Sequence, residues 1–267
     1  IEILAVVYEP MLDAYLGNRE VHGSLRSRVL EERHAHAAEL AAVAQGRGIR
    51  ASAKALWAHP MHAAVATEAA AANVDLVVAA PAGLHGNGSA VRSLTHNDWQ
   101  VVVHCPAPLL IVSGDGLAPY RQVVAAVDPF HSHAKPQNLD LEVLRVARGV
   151  AGHTQAPLRA VHCYLPIDYF GADLSRLPAR EPTFADTRLE AVRALCAAAN
   201  VPADAARIVA GAPHTVLTSM QARGEADLVV MGALARGRIA ELILGNTAER
   251  VLLGGRGDVL IVKAARQ

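Results

Sequence analysis

Aromatic residues are scarce in this chain: 3 Phe, 2 Trp and 5 Tyr account for 4% of its 267 residues. A core has to be assembled from Ala, Val and Leu within a hydrophobic content of 52%. Charge of one sign is lacking as well. Lys plus Arg and Asp plus Glu both number 25, and without a basic excess there is no electrostatic footprint for a nucleic-acid backbone. No uninterrupted apolar run approaches the roughly 20 residues of a membrane-spanning helix. Cysteine is confined to Cys105, Cys163 and Cys196. An odd number with no CxxC pair fits reduced thiols in a cytosolic protein better than a disulfide framework. GxSxG, HExxH and a Walker sequence ending in GK[ST] are all missing, so none of these nucleophile, zinc or P-loop motifs is encoded.

What is present is a segment that occurs twice. The later copy runs Asp227-Leu-Val-Val-Met-Gly232, a glycine-containing loop, Gly245-Asn246-Thr247, a short helix, and Asp258-Val-Leu-Ile-Val-Lys263. The earlier copy runs Asp75-Leu-Val-Val-Ala-Ala80, a loop, Thr95-His-Asn-Asp98-Trp99, a short helix, and Pro108-Leu-Leu-Ile-Val112. Only the later one keeps glycines where a phosphate can approach the backbone.

In the second half, strands are expected at Gln122–Val127, Leu158–Cys163, Ala206–Ala210, Asp227–Met231 and Val259–Lys263. Helices are expected between them: Leu139–Val150, with Leu141, Leu144, Ala147 and Val150 on one face, then Phe184–Ala199, His214–Arg223 and Asn246–Leu253. Alternating strands and helices imply a parallel sheet covered on both faces, in a doubly wound domain of strand order 3-2-1-4-5. The first half follows the same plan from its second strand, Ile1–Tyr8, onward. Ser24–Gln45 and Met61–Ala72 are its helices, and Arg50–Trp57, Asp75–Ala79 and Leu109–Val112 its further strands. A first strand–helix unit is lacking, which leaves two sheet edges open. We expect a native N-terminal segment of roughly 35–45 residues to supply it. The expected fold class is α/β, two tandem doubly wound parallel-sheet domains, residues 1–115 and 116–267, joined at Gly114–Pro119.

Asp128 ends the strand Gln122–Val127, and Gly232 and Gly245 follow the fourth strand. On these residues the chain resembles a tandem universal stress protein. Gly245-Asn-Thr-Ala-Glu-Arg250, Thr95–Trp99 with Cys105-Pro-Ala-Pro108, and Leu56-Trp57-Ala-His59-Pro60 resemble the E-type members. The resemblance covers Ile1 to Lys263. It implies a bacterial, cytoplasmic stress-response protein whose second domain binds a small ligand through Asp128, Gly232, Arg236, Gly237, Gly245, Asn246 and Thr247, without turnover chemistry. It also implies an internal pseudo-dimer in which the fifth strands meet, with a homodimer open.

Family domains with the full glycine pattern bind ATP, as glycine loops at helix N-termini favour phosphate. Here Ala235 replaces the middle glycine and Asn246 the hydroxyl residue, and Arg236 and Arg238 add positive charge. The alternatives are therefore an ATP-dependent switch or slow ATPase, or an apolar ligand under the long 165–183 loop with Tyr164, Tyr169 and Phe170 at its start. The first domain, with Ala80, Gly83 and Thr95 at the loop positions, is expected to have lost nucleotide binding. No metal is expected: His34 and His36 point to different faces, and His131, His133 and His214 have no zinc-like spacing.

Overall fold

The computed structural model describes residues 1–13, 19–80, 94–113, 119–130, 138–165, 184–233 and 245–263. They form two compact units, Ile1–Asn73 and Val74–Gln267.

The first unit contains β1 (Glu2–Val7), α1 (Pro10–Asp13), α2 (Arg19–Gly46), β2 (Ser52–Trp57) and α3 (Met61–Ala71). β1 and β2 are parallel, with Val7 opposite Trp57. Its buried side chains are small: Val7, Ala37, Ala41 and Ala69. Lys54 of β2 is paired with Glu68 of α3 at 2.5 Å. β1 has β2 as its one sheet neighbour among the described residues.

The second unit begins with β3 (Val77–Ala79), α4 (His96–His104) and β4 (Leu109–Ile111). It continues through β5 (Val123–Ala126), α5 (Leu139–Thr154), β6 (Leu158–Tyr164), α6 (Phe184–Ala198) and β7 (Ala206–Ala210). It closes with α7 (Pro213–Ala222), β8 (Leu228–Gly232), α8 (Asn246–Gly254) and β9 (Asp258–Val262). One sheet carries all seven strands in the order β3-β4-β9-β8-β5-β6-β7. The stretch β7-β6-β5-β8-β9 is the expected 3-2-1-4-5 arrangement, and its neighbours are all parallel.

The last strands of the two copies meet: β4 and β9 pair antiparallel, with Leu109 opposite Ile261 and Ile111 opposite Val259. This ladder carries β3 and β4 into the second unit, so compactness divides the chain at Asn73 and Val74 rather than in the stretch after Val112. The outer strand β3 has one neighbour, β4, among the described residues.

Small aliphatic side chains make the core possible without aromatics. Val123, Ala125 and Val127 alternate onto one face and join Val143, Leu144, Ala147, Val192 and Cys196 of α5 and α6 in a single cluster. Val124 and Val229, pointing the other way by the strand period of two, are equally buried. A central parallel sheet is covered on both faces for this reason. On α5 the buried face is Leu139, Asp140, Val143, Leu144, Ala147 and Ala151. It is turned from the expected Leu141–Leu144–Ala147–Val150 stripe, and Leu141 and Val150 pack at its margin.

Helix ends follow local chemistry. Thr95 and Asp98 form a reciprocal capping box on α4, which is why the Thr-x-x-Asp spacing starts a helix there. Lys263 donates to Val103 O at 3.1 Å and to Cys105 O, placing a cation at the C-terminal end of α4. Cys105 and Cys196 are buried and Cys163 half-buried, all as free thiols. Burial pushes the Cys163 thiol up to about 12, so it stays protonated and unreactive at neutral pH.

Asp227, just before β8, accepts from the backbone N–H of Arg121 at 2.7 Å, that of Gln122 at 3.1 Å and the Arg121 guanidinium at 3.0 Å. Burial opposes ionisation, but the Arg121 side chain and the two backbone donors outweigh it and hold the carboxyl below its ordinary 3.8. A carboxylate with a depressed folded-state value stabilises above its unfolded value near about 4 and loses that contribution as pH falls through the folded value. Asp227→Asn is therefore expected to flatten the loss of stability between about pH 5 and 2, measured by urea unfolding across that range. An acid limb as steep as the wild type would contradict this.

Candidate functional site

β5 lies at the centre of the doubly wound half, between β6 and β8. The chain winds outward from β5 to β6 and β7, then returns to β8 and β9 on the other side. The carboxyl ends of β5 and β8 thus flank the topological switch point, where open α/β sheets hold ligands.

Asp128 follows β5 at that edge, half-buried with 27% of its side chain exposed. Its Oδ1 accepts the Phe130 backbone N–H at 3.3 Å, a local turn that Pro129 allows. Its own N–H donates to Oδ1 of Asp140 at 3.2 Å. Asp140 is only 3% exposed and sits in the first turn of α5, where a negative charge meets the positive end of the helix.

His162 on β6 is 3% exposed, with Nδ1 at 3.9 Å from Asp128 Oδ1 and 3.2 Å from Val127 O. Arg188 of α6 donates to Nε2 of His162 at 2.8 Å. A guanidinium has no acceptor, so Nε2 carries the lone pair and Nδ1 the proton, which is donated to Val127 O. Arg188 also lies 4.5 Å over the Phe130 ring and 5.8 Å over the Tyr164 ring. Phe130 and His162 are 5.5 Å apart and tilted by 47°.

The other expected site residues divide. Gly232 ends β8, and a Cβ there would stand 2.6 Å from Leu139 Cδ2 and 2.8 Å from its Cγ. Its missing side chain is accounted for by packing against α5. Gly245 is the N-cap of α8, without a side-chain cap, and Asn246 and Thr247 are the first helical residues. Gly245 has no side chain, so the first N–H groups of α8 have no side-chain cap from that residue. Arg236, Gly237, Ala235 and Arg238 lie outside the described residues, as do His131, His133 and residues 166–183 with Tyr169 and Phe170. His34 and His36 are exposed on α2, and no cluster of metal-binding side chains exists among the described residues. His214 pairs through Nε2 with Arg250 of α8 at 3.2 Å.

Sequence reasoning missed Phe130, Asp140, His162 and Arg188. One signal was present: His162 interrupts an apolar strand, Leu158–Tyr164, where a polar ring needs partners. Nothing in the spacing joins Arg188 to it.

A doubly wound sheet with a carboxylate at its switch point and a helix N-terminus after the fourth strand defines the class of open α/β domains of mostly parallel strands flanked by helices. The sequence model described as "Universal stress protein family" matches residues 119–263. The chain belongs to this family. It is 26% identical over 250 residues to "Universal stress protein E" of Escherichia coli (strain K12) and of Salmonella typhi, covering 90% of this chain and 77% of theirs. A Thermus aquaticus universal stress protein is 32% identical over 126 residues, 44% of this chain and 85% of its own. Among solved structures, a universal stress protein from Archaeoglobus fulgidus aligns with a TM-score of 0.68 at 17% identity, covering 98% of this chain and 87% of its own. A putative universal stress protein from Pseudomonas aeruginosa aligns at 0.67 and 20%, covering 99% and 92%. These structures agree with the α/β fold of mostly parallel strands flanked by helices. No described helix is long and apolar enough to cross a membrane.

Proposed function

We propose that this stress-response protein works by binding a small ligand in its second domain, residues 116–267, at the crevice between the carboxyl ends of β5 and β8. One observation carries the reading: the Asp128 carboxylate stands at the switch point of the sheet. An ionised carboxylate only accepts hydrogen bonds, so the ligand presents hydroxyl or amino donors to it.

The role is binding rather than turnover. The imidazole nearest Asp128 has both ring nitrogens engaged, one with Arg188 and one with Val127 O, which leaves it poorly placed to act as a general base.

ATP is the second reading, favoured by the first turn of α8, whose N-cap Gly245 has no side chain to take its backbone N–H groups, where those groups and the helix dipole attract phosphate. Gly232 does not add to it, because Leu139 accounts for that glycine. The third reading, an apolar ligand, rests on the 165–183 loop, of which residues 166–183 lie outside the described residues.

Native mass spectrometry of the purified chain, followed by calorimetric titration with the carried ligand and with ATP–Mg²⁺, tests this. Asp128→Asn keeps an acceptor for the Phe130 N–H and removes the charge. It is expected to weaken binding by roughly tenfold, the loss of one charge-assisted hydrogen bond, with an unchanged unfolding midpoint. Equal affinity in the variant would remove Asp128 from the site. Hydrolysis of ATP on binding would replace the binding role by the switch or slow ATPase.

A further inference from the structure

We infer that His162 and Arg188 form a proton-operated latch between β6 and α6: the neutral ring of His162 holds Arg188, and the protonated ring releases it and pairs with Asp128. As regulation of the site proposed above it rests on the Asp128 reading, while the switch itself stands on the geometry of the pair.

His162 is 3% exposed, and a buried ring of this kind needs partners for its nitrogens. Its two partners demand one protonation state. Nδ1 donates to Val127 O at 3.2 Å, and Nε2 accepts from the Arg188 guanidinium at 2.8 Å. A guanidinium has donors only and stays charged, so this contact exists only while Nε2 keeps its lone pair. A proton on Nε2 sets donor against donor and positive charge against positive charge at that distance. The second state is prepared in the same place. Asp128 Oδ1 lies 3.9 Å from Nδ1, longer than the bond to Val127 O that serves the neutral ring, and close enough to stabilise an imidazolium.

Among the described residues, the charged and titratable groups that the packed elements bring toward the ring are few. Asp128 follows β5, Asp140 lies in the first turn of α5, and α6 brings Arg188 with Asp186 in its first turn. Tyr164 lies two residues further along β6, on the same side of the strand. β7 sets Ile208 opposite His162, and α7 packs against the other face of the strand. Carboxylates favour the proton, whereas burial and Arg188 oppose it. Release has a consequence beyond the pair. Arg188 also lies 4.5 Å over the Phe130 ring and 5.8 Å over the Tyr164 ring, so its departure uncovers both and loosens the start of α6. It also commits the Asp128 charge to the imidazolium, in competition with a ligand donor.

NMR of the full chain, with no ligand added, tests this. At about pH 8 the ring nitrogen shifts of His162 should show a protonated Nδ1 and an unprotonated Nε2, and the ring should be charged by about pH 5. Across that step the Phe130 ring signals should move. Amides of residues 188–191 should lose about tenfold in protection against hydrogen exchange, as for one charge-assisted hydrogen bond. His162→Gln keeps an acceptor for the guanidinium and takes up no proton in this range, so its protection should be the same at both ends of the titration. Arg188→Met should leave the ring titrating and make the protection independent of pH.

The latch is overturned if His162 carries its proton on Nε2 at about pH 8, stays neutral at about pH 5, or charges while Phe130 and residues 188–191 remain unchanged. A fall in protection that persists in His162→Gln assigns the pH dependence to another group and overturns it equally. The wild-type titration needs no variant, so misfolding of either variant leaves the test standing. Because no ligand is present, failure of Asp128 as a ligand contact, read by the calorimetric titrations above, is distinguishable from failure of the latch.

Discussion

Gly232→Ala is expected to lower stability by about 1–3 kcal/mol, and a second change, Leu139→Ala, is expected to absorb that loss. The added Cβ would stand 2.6, 2.8 and 3.2 Å from Cδ2, Cγ and Cδ1 of Leu139. Leu139 is 2% exposed and belongs to the main core cluster, so it has little room to turn aside. Overpacking of this kind forces an off-rotamer side chain or a backbone shift. Leu139→Ala alone should cost about 2–5 kcal/mol through its lost burial and the cavity it leaves. In that background the extra methyl at residue 232 should be close to neutral. The double-mutant cycle, read by urea unfolding, should therefore show a coupling of roughly 1–3 kcal/mol. A Gly232→Ala chain of normal stability that no longer binds ligand would return the glycine to a phosphate role and defeat this account.

Gly232 also shows how far the sequence was readable. Its place after a strand of four consecutive apolar residues made the fold legible, because buried β-branched runs alternating with helices leave few topologies. The strand order of the second half and the meeting of Leu109–Ile111 with Asp258–Val262 were both expected, and both are found. The reason for the glycine was not legible. A sequence-local pattern relates Gly232 to Gly245 along the chain, whereas the atom that forbids a side chain there belongs to Leu139, on a helix remote in sequence.

The same limit hid the neighbours of Asp128. Asp128 could be picked out because it ends a strand. Arg188, His162 and Phe130 come from a helix, a neighbouring strand and a turn, and only the parallel pairing of β5 with β6 brings them together. The segment boundary behaved likewise: turn residues at 114–119 marked a change of copy, but the β4–β9 ladder determined which strands form one compact unit.

That joint is the site of the second large effect. Asp258→Ala is expected to cost about 2–4 kcal/mol, because one carboxylate fastens both ends of the connection between the two copies. Its Oδ1 accepts the Ser113 N–H at 2.8 Å and the Ser113 hydroxyl at 3.0 Å, and its Oδ2 accepts the Tyr120 hydroxyl at 2.7 Å. Ser113 comes just after β4 and Tyr120 just before β5, while Asp258 opens β9, whose ladders run to β4 on one side and β8 on the other. Truncation leaves the half-buried phenol and the Ser113 N–H without their acceptor, the expensive form of hydrogen-bond loss, while the Ser113 hydroxyl keeps the Arg256 carbonyl at 3.0 Å. Asp258→Asn, which keeps one acceptor oxygen, should cost about half as much, and Tyr120→Phe only about 1 kcal/mol.

The alkaline side gives an independent reading of the same bond. Burial, together with the Asp258 hydrogen bond and charge, pushes the Tyr120 phenol up. A group whose folded-state value is raised contributes fully below its unfolded value near about 10 and loses that contribution as pH rises through the folded one. Stability should therefore fall above about pH 10 in the wild type and less steeply in Tyr120→Phe. If Asp258→Ala unfolds within about 0.5 kcal/mol of the wild type, a shift typical of neutral surface changes, the carboxylate is not what ties the two copies together. The backbone hydrogen bonds of the β4–β9 ladder and the packing of its buried Leu109, Ile111, Val259 and Ile261 side chains would then hold the joint.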